Sequence, residues 1–113
     1  MKKILLISLL TLAGCSIILP KPHDPVMFGT LVDVKIAVDK LSCDDKNWTY
    51  AETKIERLKV YTILRNDPQA TSVTQLQEAI VKANKSNNKV FCENILKINR
   101  TRIDVIVDAW KGR

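Results

Sequence analysis

The chain has 113 residues, which is enough for one small domain but not for two. About half of the residues are hydrophobic (46%) and 27% are charged, which is the composition of a globular protein rather than of a disordered chain. The net charge of +6 falls to +4 if the N-terminal segment with Lys2 and Lys3 is removed, and so mild an excess argues against a nucleic-acid-binding surface.

The first element is a secretory signal over residues 1–14. Lys2 and Lys3 give it a positive start, and the ten residues 4–13 form an apolar run. Ten helical residues rise only about 15 Å, which is half the hydrocarbon thickness of a bilayer. A positive start and a short apolar run that ends in small residues are typical of a cleaved signal peptide. No later segment reaches eighteen apolar residues, so no membrane span is predicted in the mature chain.

The signal ends in Leu12-Ala13-Gly14-Cys15, which resembles the lipobox of bacterial lipoproteins. The resemblance implies cleavage between Gly14 and Cys15, and acylation of Cys15 on its sulfur and on its new amino group. Several acyl chains hold a protein firmly at a membrane. The residue after Cys15 is Ser16, whereas lipoproteins retained in the inner membrane typically have Asp at that position. The resemblance therefore implies that the protein is anchored in the outer membrane of a Gram-negative cell. Its domain would face the periplasm. The alternative is an ordinary exported protein in which Cys15 pairs with another thiol.

The resemblance implies that residues 15–23 form a lipidated tether and that residues 24–113 form the periplasmic domain. Pro20 and Pro22 favour an extended tether. His23 is the only histidine and lies in this tether, so it is interpreted as a solvated side chain and not as a catalytic base.

Cys43 and Cys92 remain as a pair in an oxidising compartment, and an intramolecular disulfide is predicted between them. A loop of this size would stabilise the domain by about 4 kcal/mol. An intermolecular bond and two unrelated buried thiols are the alternatives. Two cysteines and one distant His23 fall short of a structural zinc site, so no metal is expected.

Four helices are predicted from apolar residues spaced three and four apart. The first begins with Asp24 as its cap and Pro25 at its first position; its apolar residues are Met27, Leu31, Val34, Val38 and Leu41. The second runs from near Trp48 to Arg65; its apolar side holds Ala51, Ile55, Leu58 and Thr62, widened by Val60, Ile63 and Leu64.

The third helix is predicted to begin at a capping box formed by Ser72 and Gln75 and to end at Asn87-Asn88. Its narrow apolar face consists of Leu76, Ala79, Ile80 and Ala83. The fourth helix has one apolar side made of Cys92, Ile95, Leu96, Asn99, Ile103, Ile106 and Trp110. Residues 102–108 are rich in β-branched side chains and could form a strand, but the helical period continues through them.

The predicted fold is therefore all-α: a small, mostly antiparallel three- or four-helix bundle. The disulfide would tie the end of the first helix to the beginning of the fourth.

The sequence contains no pattern of catalytic chemistry. It has no glycine-rich phosphate loop and no nucleophile motif. Asp44-Asp45 is interpreted as a solvated loop, and Asp104 and Asp108 as a surface charge pair with Arg100 available to Asp104. We expect neither enzyme activity nor a cofactor.

Aromatic residues give the remaining functional indication. One narrow core cannot take all of Trp48, Tyr50, Tyr61, Phe91 and Trp110, and exposed Trp and Tyr are common in protein interfaces. The alternative is that Trp48 and Trp110 close the two ends of the bundle. The sequence thus favours a domain that binds another envelope protein.

In size and signal the chain resembles the outer-membrane subunits of phage spanin pairs. That resemblance implies an inner-membrane partner and a role in membrane fusion during lysis. Two alternatives remain open: an exclusion lipoprotein that blocks entry of phage or plasmid DNA, and a structural tether between outer membrane and peptidoglycan. Lipoproteins linked covalently to the wall typically end in Lys, whereas this chain ends in Lys111-Gly112-Arg113.

Overall fold

Four α-helices make up most of residues 22–113, the part of the chain that this computed structural model describes. They are α1 (Pro25–Asp39), α2 (Thr49–Leu64), α3 (Ala70–Lys85) and α4 (Lys89–Lys111). The predicted signal peptide, its predicted cleavage site at Gly14 and Cys15, and the predicted tether up to residue 21 lie outside the described residues.

The helices form a closed antiparallel ring. Each helix packs against the next one along the chain, and α1 also packs against α4. Short connections make consecutive helices antiparallel neighbours. The prediction of an all-α bundle is confirmed, with four helices.

One end of the bundle, here called the tether end, holds the start of α1 and α3 and the end of α2 and α4. The opposite end is called the disulfide end.

Local side-chain caps fix where two of the helices begin. The Asp24 carboxylate accepts hydrogen bonds from the backbone N–H groups of Val26 and Met27, both at 3.1 Å, ahead of Pro25 at the first helical position. The Asn88 side chain accepts from the Phe91 N–H at 3.0 Å and starts α4. These bonds satisfy backbone donors that have no partner within the helix. The Asp24 cap is confirmed. Asn88, which was predicted only to end α3, is also the cap of α4.

The capping box predicted at Ser72 is wrong. The third helix begins at Ala70, so Ser72 lies inside its first turn. Gln69 is the N-cap, and Asp67 stabilises the turn before it, because its side chain accepts from the Gln69 N–H at 2.9 Å and its carbonyl accepts from the Ala70 N–H at 3.0 Å. The backbone is therefore already helical at Ser72, which cannot act as an N-cap.

One buried stripe from each helix forms the core. The predicted stripes of α1 and α4 are confirmed, including helix and not strand over residues 102–108, except at two residues. Leu41 lies past the end of α1, and both Leu41 and Ile95 are only partly buried. Asn99 is buried in the α4 stripe and donates to the Ile95 carbonyl at 2.8 Å. Trp48 and Trp110 are also buried and lie at opposite ends of the bundle, as the second interpretation of the aromatic residues expected.

The predicted widening of the α2 stripe is wrong. Val60, Ile63 and Leu64 are exposed, whereas Ala51, Ile55, Leu58 and Thr62 are buried. Because α2 contacts only its two ring neighbours, one stripe is enough to fill the interface, and residues on the far side of the helix face solvent.

The Cys43–Cys92 disulfide is present and joins the loop after α1 to the first turn of α4. The two Cα atoms are 6.1 Å apart, which is within the usual range for a disulfide. The bridge thus lies at the disulfide end and connects the two helices that close the ring.

Candidate interaction surface

Buried charges at the tether end hold the bundle together. The Asp67 carboxylate, in the α2–α3 loop, accepts from Arg113 Nη2 at 3.2 Å and from Trp110 Nε1 at 3.2 Å. Burial alone would raise the pKa of Asp67, but hydrogen bonds from Arg113 and from the Gln69 N–H outweigh it and hold the pKa below its usual value. The loop before α3 is thereby fixed to the last turn of α4.

A second cluster fixes the start of the domain. The Asp24 carboxylate that caps α1 also accepts from Tyr61 Oη at 2.9 Å and lies 3.4 Å from Arg65 Nε. The hydrogen bond from the Met27 N–H, supported by Tyr61 and Arg65, lowers the pKa of Asp24. The first residues of α1 are therefore held against the last turn of α2.

At the disulfide end, two long basic side chains cap the ends of other helices. Arg100 Nη2 donates to the carbonyl groups of Val38 (3.3 Å) and Leu41 (3.1 Å), at the end of α1. Lys46 Nζ donates to the carbonyl groups at the end of α3, including those of Ala83 and Asn84, both at 3.1 Å. A cation is favourable at a helix C-terminus because the last carbonyl groups there have no helical partner.

The structure places the predicted polar residues apart from one another. His23 is exposed, with its ring 5.7 Å from that of Phe28. Asp44, in the exposed loop, pairs with Lys89 at 2.9 Å. Asp104 pairs with Lys35 of α1 at 2.8 Å and not with Arg100, which is the partner that the sequence suggested. The Arg100 guanidinium instead donates to the carbonyl groups at the end of α1.

Over residues 22–113, no three side chains of His, Cys, Asp or Glu lie together in a way that could hold a metal ion. Within the same range, no helix has both the length and the apolar content needed to cross a membrane.

An exposed apolar strip follows the outer side of α1. Gly29, Val32 and Ile36 are spaced three and four residues apart, so they lie on one side of the helix, opposite the buried Leu31, Val34 and Val38. Val32 is 40% exposed and Ile36 is 49% exposed. We call Gly29, Val32, Ile36 and the neighbouring Tyr50 the α1 face. A helix that is apolar on both sides is normally covered on both sides.

Tyr50 joins this strip across a shallow groove. Ile36 and Tyr50 line the same depression of about 500 Å³ between the end of α1 and the start of α2. Tyr50 is 61% exposed, and Lys54 Nζ lies 5.6 Å from the centre of its ring. An exposed tyrosine beside an aliphatic strip offers the large, rigid contact area that interfaces favour.

Ion pairs border the α1 face on both sides. Toward α4, Lys35 contacts Asp104 at 2.8 Å and Asp39 at 3.7 Å. Toward α2, Lys54 contacts Asp33 at 3.7 Å. An apolar centre with a charged rim is the usual anatomy of a protein–protein interface.

Gly29 has no role in the packing of the domain. It lies in the middle of α1, and a Cβ atom added to it would meet no atom within 4 Å. Glycine inside a helix costs about 0.5–1 kcal/mol relative to alanine. A glycine at such a place allows another backbone to approach α1 closely.

The outer side of α4 is a weaker candidate surface. Phe91, Ile98 and Val105 are exposed at intervals of seven residues, but polar Asn94 and Thr101 lie between them. On α1 itself, Gly29, Val32 and Ile36 follow one another without a polar side chain between them, whereas Asp33 and Lys40 line the groove that Ile36 shares with Tyr50. The strip on α1 is therefore the more continuous apolar surface.

Sequence reasoning identified Tyr50 but missed Gly29, Val32 and Ile36. The available signal was the scarcity of charge in α1, where Asp33, Lys35 and Asp39 are the only charged residues of the helix. The buried stripe alone accounts for the apolar spacing of the helix, so that spacing gives no separate signal for a second apolar side.

Comparisons with known proteins give no relative. No protein-family model matches the chain, and no match is found among curated proteins or among solved structures.

Proposed function

We propose that this protein is a non-enzymatic lipoprotein of the outer membrane, anchored through acylated Cys15, whose helical domain faces the periplasm and binds another envelope protein through the α1 face. The observation that carries the binding proposal is the exposed strip of Gly29, Val32 and Ile36 with its charged border.

Two observations support the anchoring part of the proposal. The disulfide uses two of the three cysteines, so Cys15 is the one that remains for another role, and it follows the lipobox-like Leu12-Ala13-Gly14. A disulfide between Cys43 and Cys92 also fits an exported protein, because such bonds persist in oxidising compartments.

Acylation is tested by metabolic labelling with palmitate. We expect the wild-type chain to be labelled and Cys15→Ala to lose the label. Ser16→Asp is the matched control for location: it should keep the label but shift the protein to the inner membrane on fractionation. An unlabelled wild-type chain would overturn the anchoring proposal.

Binding is tested by photo-crosslinking in intact cells, with a photoreactive amino acid at position 36 or at position 98. Position 98 is the matched control for position 36, because Ile36 and Ile98 are similarly exposed (49% and 56%) but lie on different helices. We expect one defined protein adduct from position 36 and no such adduct from position 98. Val32→Asp should abolish the adduct at 36 without unfolding the domain, because Val32 lies on the surface.

The identity of the adduct distinguishes the specific roles. An inner-membrane coiled-coil protein would favour the spanin role in lysis. An outer-membrane receptor or porin would favour exclusion, and peptidoglycan alone would favour a structural tether. Equal adducts from positions 36 and 98 would show that the α1 face is not the binding surface.

A further inference from the structure

A group of exposed aliphatic side chains lies at the tether end of the bundle. Val26 is in the first turn of α1, and Ile63 and Leu64 are in the last turn of α2. Leu64 is 77% exposed and Val26 54% exposed. None of the three belongs to the core, and they lie apart from the α1 face. We call Val26, Ile63 and Leu64 the end cluster.

The course of the chain places this end near the membrane if Cys15 is acylated. Asp24 follows Cys15 by nine residues, and nine residues reach at most about 30 Å in any conformation. The domain therefore begins within that distance of the acyl chains. The opposite end of α1 is a further ~22 Å away along the helix. Because α2 runs antiparallel to α1, its last turn returns to the end where the tether joins.

The charges at this end are compatible with phospholipid headgroups. Three carboxylates at this end are paired with basic side chains: Asp24 with Arg65, Asp67 with Arg113, and Asp108 with Lys111. A paired carboxylate repels anionic phosphate groups less than an unpaired one does. Exposed Leu and Ile chains beside arginine are also suited to the boundary between acyl chains and headgroups.

We propose that the end cluster rests on the lipid bilayer, with Leu64 and Ile63 inserted among the headgroups. The occupant of this surface is the phospholipid of the anchoring membrane, and the inference rests on the acylation of Cys15 proposed above. The bundle then stands with its disulfide end away from the membrane, and the α1 face runs along its side, accessible to a partner.

The test is photo-crosslinking to lipid in the full-length chain produced in cells that process lipoproteins. A photoreactive amino acid is placed at position 64, and at position 90 in a matched variant. Leu64 and Val90 are similarly exposed, lie at opposite ends of the bundle and are both outside the α1 face, so neither replacement should disturb the core or the proposed partner surface. After irradiation, mass spectrometry measures the phospholipid attached to each variant, and palmitate labelling is recorded in the same samples.

We expect several-fold more phospholipid at position 64 than at position 90. Equal amounts at the two positions, more at position 90, or only protein attached at position 64 would overturn the inference while acylation is intact. Loss of palmitate labelling in both samples would instead overturn the proposed anchoring, and the inference with it. The two failures are therefore distinguishable.

Discussion

Arg113 and Asp67 form a buried ion pair that joins the end of α4 to the loop between α2 and α3. The Asp67 side chain is only 2% exposed, and it accepts from both terminal nitrogens of Arg113. Two parallel hydrogen bonds from a guanidinium make this a strong and directional contact. The pair closes the tether end of the bundle, opposite the disulfide.

Replacement of Arg113 should therefore destabilise the domain. In Arg113→Ala the Asp67 carboxylate stays buried without its cation, and we expect the free energy of unfolding to fall by about 3 kcal/mol. Lys111→Ala is the control, because the exposed Lys111–Asp108 pair should contribute less than about 1 kcal/mol. Urea denaturation followed by circular dichroism measures both. Similar losses in the two variants would contradict the assigned role of the pair.

Stability should decrease in acid because of Asp67 and Asp24. Both carboxyl groups have pKa values lowered by folding, so the folded state favours their charged forms. Their contribution is complete above the unfolded pKa of about 4 and is lost as the pH falls through the folded values. We expect a free energy of unfolding that is nearly constant at neutral pH and declines below about pH 4.

Asp67→Asn isolates one of the two groups. It should lower stability at pH 7 and reduce the difference in stability between pH 7 and pH 3. Asp45→Asn, in the exposed loop, is the control and should leave the pH dependence unchanged. Parallel pH profiles for wild type and Asp67→Asn would show that Asp67 does not carry the effect.

Reduction of the disulfide should remove a large part of the stability. The bridge closes a loop with a sequence separation of 49 residues, for which chain entropy predicts a loss of about 4 kcal/mol on reduction. We expect dithiothreitol to lower the denaturation midpoint of the wild type strongly. A variant with both Cys43→Ala and Cys92→Ala should be less stable and insensitive to dithiothreitol. A wild type with free thiols and unchanged mobility on a non-reducing gel would contradict the bond.

Arg100 should stabilise the end of α1 from a distance. Arg100→Met keeps most of the aliphatic chain but removes the guanidinium, so the carbonyl groups of Val38 and Leu41 lose their donor. We expect a loss of about 1–3 kcal/mol and faster amide hydrogen exchange in the last turn of α1. Lys97→Met, on the exposed side of α4, is the control. Unchanged exchange in Arg100→Met would exclude the capping role.

Gly29→Ala should separate folding from binding. The added methyl group meets no atom of the domain and removes the cost of glycine in a helix, so stability should rise by about 0.5–1 kcal/mol. The same methyl group should weaken the partner adduct formed from position 36, because it keeps the partner's backbone away. Gly112→Ala is the control and should leave the adduct unchanged. If Gly29→Ala is more stable than the wild type but gives the same amount of adduct from position 36, the partner's backbone does not approach α1 at Gly29.

The sequence predicted the helices well because their core stripes depend on local spacing. The Asp24 cap, the stripe of Leu31, Val34 and Val38, and the helical course of residues 102–108 all follow from contacts within about one or two turns. The disulfide was predictable for a different reason: with Cys15 assigned to the lipobox, only Cys43 and Cys92 were left to pair.

The long-range polar contacts were not predictable. Arg100 and Lys46 reach the ends of α1 and α3, and Asp104 pairs with Lys35, because the ring places helices distant in sequence beside each other. A single sequence shows a local partner, such as Arg100 for Asp104, but not the competitor on another helix. The α1 face was missed for the same reason: only the packed structure shows which of two apolar sides remains outside.

The position of the disulfide determines how the domain would respond to mechanical tension. A pull on the tether acts first on Asp24 and then on α1, and it reaches Cys43 just after that helix ends. From Cys43 the load passes through the sulfur atoms to Cys92 and α4. Because α2 and α3 lie inside the covalent loop, residues 44–91 are not drawn out while the bond is intact. Tension between the anchor and a partner held on α1 would thus be confined to a single helix.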